Sequence, residues 1–548
     1  MKILIITGNL AYSLVEKVVK DSNQDLIVHL ADTQIAAFLT PKMIIKEIKT
    51  HFEKELANDK IDMIITPGLM RKSTEEIYHA LNIPVFKGST DAADLGMVLD
   101  LIDSSDDSKK SPNLELSTTK PADKLIEEEK RKQAIQFIED FESDFEKREE
   151  LLKKPNNIMV GKLAVGEDFP MRVLAEIANA PGLSKEELIR KCEYFLANGA
   201  DMIDIGMVAG EDFSDKIPEI IATLRPIVGD KALSIDTLNP KEIAIAIENR
   251  IDLVLSIDLG NFKEVLPLLK KHNIPAVALP TNFANGKVPH TVGERVESMN
   301  ELAKICEEEG VEIIADLILD PVNSSSIVDS IIACREYHEK RQNPMFFGVG
   351  NVNELLDTDS VGVNALLGGI AMELGASILF TPEESGKTIG SVYELAITSK
   401  MMFLAKNRRS IPKDLGINLL VFKDKKKRQD FYTSIEESDI DVPIEKANES
   451  NRFVLDPAGS FKIRVEHGLN PNFSKIIVTH FKKNSPDLTI EGRYTKEMYD
   501  ELVRLGIVTR LEHAAYLGAE LQKAEIAMIT GKEYVQDFDL FKKPYDLN

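Results

Sequence analysis

The chain has 548 residues, 43% of them hydrophobic and 29% charged, which is enough apolar material for several packed cores and rules out wholesale disorder. Its 67 basic residues stand against 90 acidic ones, a formal net charge of −23, so neither a nucleic-acid backbone nor an anionic membrane is expected as the main partner. Cys192, Cys306 and Cys334 are too few and too scattered for a disulfide framework or a Cys-rich zinc site, and they suit a reducing cytoplasm.

Residues 1–102 alternate apolar strand-like runs, at 2–6, 26–30, 61–66 and 84–86, with amphipathic helical stretches. That alternation predicts a small three-layer α/β domain of Rossmann or flavodoxin type, a parallel sheet covered on both faces. The run at the start has no cleavage-type site, so no targeting segment is expected. Residues 103–123 change to Ser, Asp, Lys, Thr and Pro without apolar periodicity and read as a linker; 124–154 mix Glu with Lys and Arg and read as a charged connecting helix.

From 155 to 408 a strand-then-helix pattern repeats eight times, with strand candidates ending at Leu163, Ile205, Ile235, Ile257, Leu279, Leu317, Val349 and Leu379. Eight βα units in about 250 residues predict a TIM (β/α)8 barrel. Ser184 and Glu187 have the spacing of a capping box for its first helix. The apolar run 361–380 is long enough to suggest a membrane span, but it carries Asn364, Glu373 and several glycines, so a buried helix followed by a buried strand is expected and no span. Residues 409–548 predict a separate α+β domain, with strands at 462–465 and 475–479 and helices at 495–505 and 510–530.

In such a barrel the active site lies at the carboxyl ends of the strands. Asp204 ends the second, Asp236 the third, Ser256 and Asp258 the fourth, Asp316 and Asp320 the sixth, and Gly348-Val349-Gly350-Asn351 the seventh. Any one of these aspartates could cap the helix that follows. Together, with no His or Cys among them, they point away from nucleophilic catalysis and toward holding a polar heterocycle or a hard cation. No metal-ligand set emerges from His or Cys spacing: His467 and His480 have none with His513, a lone helical histidine that reads either as a packed or capping residue or as a corrinoid cobalt ligand.

The segments 201–206 (Asp-Met-Ile-Asp-Ile-Gly), 233–237 (Leu-Ser-Ile-Asp-Thr) and 317–321 (Leu-Ile-Leu-Asp-Pro), with the Asp258 strand, resemble the pterin-binding barrels of dihydropteroate synthase and of the methyltetrahydrofolate–corrinoid methyltransferases. The whole chain is similar to archaeal dihydropteroate synthase-related proteins. The resemblance implies that Asp320 accepts the pterin N3–H and 2-amino group in a bidentate pair, and that Asp236 and Asp258 contact the other polar edge, although Ile257 stands where the family has Asn. The synthase's Asn-x-Thr-Pro-Asp-Ser-Phe loop is replaced by Gly161–Glu167, its Ser-Arg-Lys by Gly348–Asn351 and its Arg-x-His by Phe380-Thr381-Pro382, so the Arg, Lys and His that the resemblance assigns to a diphosphate leaving group are missing from the last two. In the methyltransferases an Asn at the place of Asn351 hydrogen-bonds N5 of the methylated pterin.

Three readings follow. A tetrahydropterin of the tetrahydromethanopterin or tetrahydrofolate class passes its N5-methyl group to an acceptor, with Asn351 as the catalytic residue; or a pterin condenses with an arylamine, as in the synthase; or the barrel binds pterin without catalysis. The first reading implies a corrinoid, on a partner protein or on the C-terminal domain. A homodimer is expected.

Overall fold

The computed structural model describes residues 1–103 except 21, 23 and 59, then 116–425, 445, 447 and 454–541. Most of the expected linker, residues 104–115, lies outside the described residues. The chain divides into two compact units, one built on residues 1–139 and the other on 140–413 with the C-terminal region.

In the first unit β1 (Lys2–Thr7), β2 (Asp25–Leu30), β3 (Met63–Thr66) and β4 (Val85–Lys87) form a parallel sheet in the order β2-β1-β3-β4. Alternation along β1 explains why both faces need cover. Ile3 and Ile5 pack with Val15, Val98 and Leu99, whereas Leu4 and Ile6 pack with Ile44, Ile48 and Ile77 on the other side.

The second unit holds a closed barrel of eight parallel strands. One sequence expectation is corrected here. The run ending at Leu163 is not the first barrel strand: β5 (Asn157–Val160) and β6 (Leu163–Gly166) pair antiparallel as a hairpin around Gly161, whose φ is +58°. Its apolar side chains Ile158, Val160 and Val165 join the barrel-interior residues Leu174, Met202, Leu253 and Ile314 in one cluster, so the hairpin plugs the amino-terminal end of the barrel. A strand broken by a turn that one glycine permits reads as one longer strand by apolar content alone.

The barrel strands are β7 (Arg172–Ile177), β8 (Met202–Gly206), β9 (Ala232–Asp236), β10 (Leu253–Ile257), β11 (Ala276–Ala278), β12 (Ile313–Ala315), β13 (Met345–Gly348) and β14 (Ala376–Thr381), with β14 closing onto β7. Period two sends Leu174, Met202, Leu255 and Ile378 inward and Val173, Ile203, Val254 and Leu379 outward against the helices. The helix after β7 starts in the expected capping box, the Ser184 hydroxyl accepting from Glu187 N–H at 3.3 Å and the Glu187 carboxylate from Ser184 N–H at 2.8 Å. The run 361–380 is a helix, Ser360–Glu373, followed by the buried strand β14. No helix among the described residues is long and apolar enough to cross a membrane.

The C-terminal region is α+β: β15 (Ser460–Glu466), β16 (Lys475–Lys482) and β17 (Ser485–Gly492) form an antiparallel sheet packed on helices Thr495–Arg504 and Leu511–Thr530. The third strand escaped the sequence reading because its first five residues are exposed and include Pro486 and Asp487, leaving little apolar alternation.

Candidate active site

The inward positions change character toward the carboxyl end of the barrel. Leu174 is followed two residues on by Glu176, Met202 by Asp204, Ser234 by Asp236 and Ile314 by Asp316. Period two aims these side chains into the mouth, and register sets Glu176 beside Asp204 and Gly206 beside Asp236. One carboxylate oxygen from each of Glu176, Asp204 and Asp236 lies within 4.8 Å of the others. Gly206 makes that crowding possible: a Cβ there would stand 2.2 Å from Glu176 Oε1.

Asp204 is fully buried. Its Oδ1 accepts from the Ser234 hydroxyl, and its Oδ2 has no hydrogen-bond partner among the described residues. Glu176, Asp236 and Asp316 are half-buried and face the open side. Water is scarce at this depth and the charges repel, so the protonated forms are favoured. Burial, reinforced by Asp236 and Glu384 and opposed by Lys191, pushes Glu176 up to about 8. Burial with Asp236 and Glu176 beside it raises Asp204 well above the ordinary carboxylate range. Burial raises Asp236 to about 6, and raises Asp316 to about 7, where Asp236 adds repulsion while the Ile318 N–H, at 2.8 Å, and Arg295 work the other way. A mouth built this way suits a ligand that presents several N–H donors, or a hard cation held by Glu176, Asp204 and Asp236.

Asp320 stands apart from that cluster, ion-paired to Arg295. The Arg295 guanidinium is itself buried and its Nη1 donates to the carbonyls of Leu317 at 3.1 Å and Ile318 at 2.6 Å, which fixes the Nη2 that meets Asp320 Oδ2. Asp258 has a different occupation. Its Oδ1 accepts from Gly260 N–H and Asn261 N–H at 2.7 and 3.0 Å, and its Oδ2 from the Thr281 hydroxyl and Phe283 N–H at 3.0 and 2.8 Å. With four donors in place, that carboxylate shapes the loops after β10 and β11. Ser256 is buried behind it, its carbonyl accepting from Asn261 Nδ2 at 3.1 Å.

Asn351 lies in the short helix Gly350–Asn353 that follows β13 and is exposed at the mouth; its Nδ2 donates to the Leu319 carbonyl at 3.1 Å, linking the ends of the sixth and seventh strands. Gly350 lets it approach, since a Cβ there would lie 2.4 Å from Pro382 Cδ. In the C-terminal region His513 Nδ1 lies 3.1 Å from Asp456 Oδ2, and the same carboxylate accepts from Thr509 and Arg510 N–H at 2.9 and 3.1 Å. That histidine joins the strand entry to the helix Leu511–Thr530.

The structure thus gathers Asp204, Asp236 and Asp316 with Glu176, sets Asp320 and Asn351 at the same rim, and engages Asp258 in loop contacts. Glu176, Ser234 and Arg295 were missed from sequence. Glu176 went unread because the strand carrying it was replaced by the hairpin; the apolar run 173–177, interrupted by Glu176 alone, was its signal. Arg295 lies on the buried helix stripe continued by Met299, Leu302 and Cys306, a position where a lone cation needs a buried partner.

Two family models match parts of this chain. A family described as pterin binding enzyme matches residues 179–361, and one described as PterinBD-DUF4346 matches residues 455–537. The chain is similar along nearly its whole length to uncharacterized protein MJ0107 of Methanocaldococcus jannaschii, 44% identical over 549 aligned residues, 99% of each chain. The chain belongs to one family with that archaeal protein, and its residues 179–361 match the pterin binding enzyme family. Solved dihydropteroate synthases align with the barrel region: that of Thermus thermophilus is 15% identical, covering 44% of this chain and 95% of its own, with a TM-score of 0.36. The Xanthomonas albilineans enzyme with 4-aminobenzoic acid is likewise 15% identical, covering 47% and 99%, with a TM-score of 0.38.

Proposed function

We propose that the barrel mouth binds a reduced pterin and moves the methyl group on its N5 to a nucleophilic acceptor. The observation that carries the reading is the set of half-buried carboxylates at the rim, Glu176, Asp236, Asp316 and Asp320, with the Asn351 amide beside them. A pterin offers N3–H and a 2-amino group side by side, which one carboxylate accepts as a fork. Asp320 takes that role, and Arg295 orients it from behind. Asp236 and Asp316 face the remaining polar edge.

A tertiary amine leaves poorly unless its nitrogen is engaged as the C–N bond breaks. The electron pair of that bond goes to N5, the methyl carbon bonds to the acceptor, and N5 takes a proton. Asn351 supplies a hydrogen bond that strengthens as N5 gains charge, and the carboxyl of Glu176, held protonated to about 8, supports proton delivery from the mouth at neutral pH. The acceptor class is a reduced corrinoid or a thiolate.

Condensation with an arylamine, the synthase-like alternative, requires a cation for the departing diphosphate. At this rim Arg295 is committed to Asp320 and two carbonyls. The two reactions separate in one experiment. The protein is incubated with a methylated tetrahydropterin plus cob(I)alamin or a thiol, and separately with a pterin diphosphate ester, an arylamine and magnesium. Methyl transfer without diphosphate release supports the proposal, diphosphate release alone overturns it in favour of condensation, and inactivity in both points to a binding protein.

A further inference from the structure

The first unit carries a second cluster of chemistry-bearing side chains, unconnected with pterin. His29 projects from β2, an edge strand of the sheet, toward the helix Pro41–His51, whose Glu47 and His51 are four residues apart and share a face. Both imidazoles aim at one carboxylate oxygen: His29 Nε2 lies 3.0 Å and His51 Nε2 3.6 Å from Glu47 Oε2. One ligand-capable atom from each of the three residues falls within 4.8 Å of the others.

The geometry points to a divalent transition-metal site formed by His29, Glu47 and His51. Donor atoms about 2.0–2.1 Å from a tetrahedral ion stand about 3.3 Å from one another, and the two contacts at the carboxylate bracket that value. His51 Nε2 stands beyond hydrogen-bond length but within ion-pair range of the same carboxylate oxygen, and its ring lies 5.2 Å, centroid to centroid, from that of His29, so both imidazoles and the carboxylate converge on one point. Two neutral imidazoles with one carboxylate form a set that suits zinc, copper, nickel or ferrous iron and not magnesium or calcium. The His29 ring is held in place by Phe52, edge-on with centroids 5.3 Å apart and planes at 85°, so one ligand is preorganised. Side-chain exposure rises from 12% at His29 through 20% at Glu47 to 56% at His51, leaving a fourth coordination position open to solvent, as in sites where water or a substrate completes the shell.

The probe is Co2+, whose visible absorption reports imidazole coordination, added to the full-length protein after chelator treatment. One equivalent is expected to bind with a visible band and to be displaced by Zn2+. His51→Ala, which removes a largely exposed side chain, should weaken binding by about tenfold or more, and the His29→Ala/His51→Ala pair should abolish the band. Absence of the band in the parent protein overturns the assignment, and so does binding of equal affinity in the parent and the double variant, which would place the ion elsewhere, for example at the barrel carboxylates.

Discussion

Replacing Glu176 with Gln keeps the shape of the side chain and removes one ionisable group from the barrel mouth. In the unfolded chain this glutamate titrates near 4.5, and in the folded protein burial, with Asp236 and Glu384 nearby, holds its proton to about 8. The folded-state value is the higher one. The native state is therefore undiminished below about pH 4.5 and loses stability relative to the unfolded chain as pH rises from there through 8. Fully developed, the loss is about 5 kcal/mol, shared with the other mouth carboxylates because they titrate together. Gln cannot ionise, so the variant escapes it. Denaturant unfolding should find the two proteins within about 1 kcal/mol of each other at about pH 5, and the variant more stable by several kcal/mol at about pH 8.5. Parallel pH profiles for the two proteins would refute the picture of a crowded, proton-sharing mouth.

Asn351→Ala should lower kcat for methyl transfer far more than it raises KM, because the hydrogen bond strengthens mainly in the transition state; a change confined to KM would make Asn351 a simple binding contact. Arg295→Met leaves the Asp320 carboxylate without its guanidinium and should destabilise the protein by about 3 kcal/mol or more in a thermal melt, while an unchanged melting curve would show that the pair is not buried in solution. Pterin affinity should rise with pH through about 6 to 7 as Asp236 and Asp316 lose their protons and become acceptors, and a calorimetric affinity that falls over that range would mean that their neutral forms bind. Gly206→Ala should disturb the mouth directly, since its Cβ would press on Glu176, and should weaken pterin binding; unaltered affinity would move the ligand away from β8.

Much of this architecture was legible in the chain. Strict strand-then-helix alternation with apolar strands defined the first sheet, and an aspartate at the end of successive strands marked the barrel mouth, because inward positions past the apolar layers have few other uses for a carboxylate. The reading failed where periodicity and topology part company. The segment 157–166 has the content of a barrel strand, but only its tertiary partners reveal an antiparallel plug, and that slip hid Glu176. Asp258 illustrates another limit: the same residue type at the same kind of strand end is saturated by three N–H groups and one hydroxyl, and the loops that supply those donors lie up to 25 residues away in the chain. Histidines 22 residues apart, His29 and His51, gave no spacing signal because a strand and a helix bring them together across the edge of a sheet.

The most direct test of pterin recognition at the barrel mouth is calorimetric titration of a tetrahydropterin into the parent protein and into Asp320→Ala, with circular dichroism confirming that both are folded. Loss of a bidentate carboxylate contact in a pocket is worth a few kcal/mol, so the variant should bind at least about tenfold more weakly. Equal affinities in two folded proteins, or no binding to the parent, would contradict pterin recognition through this carboxylate.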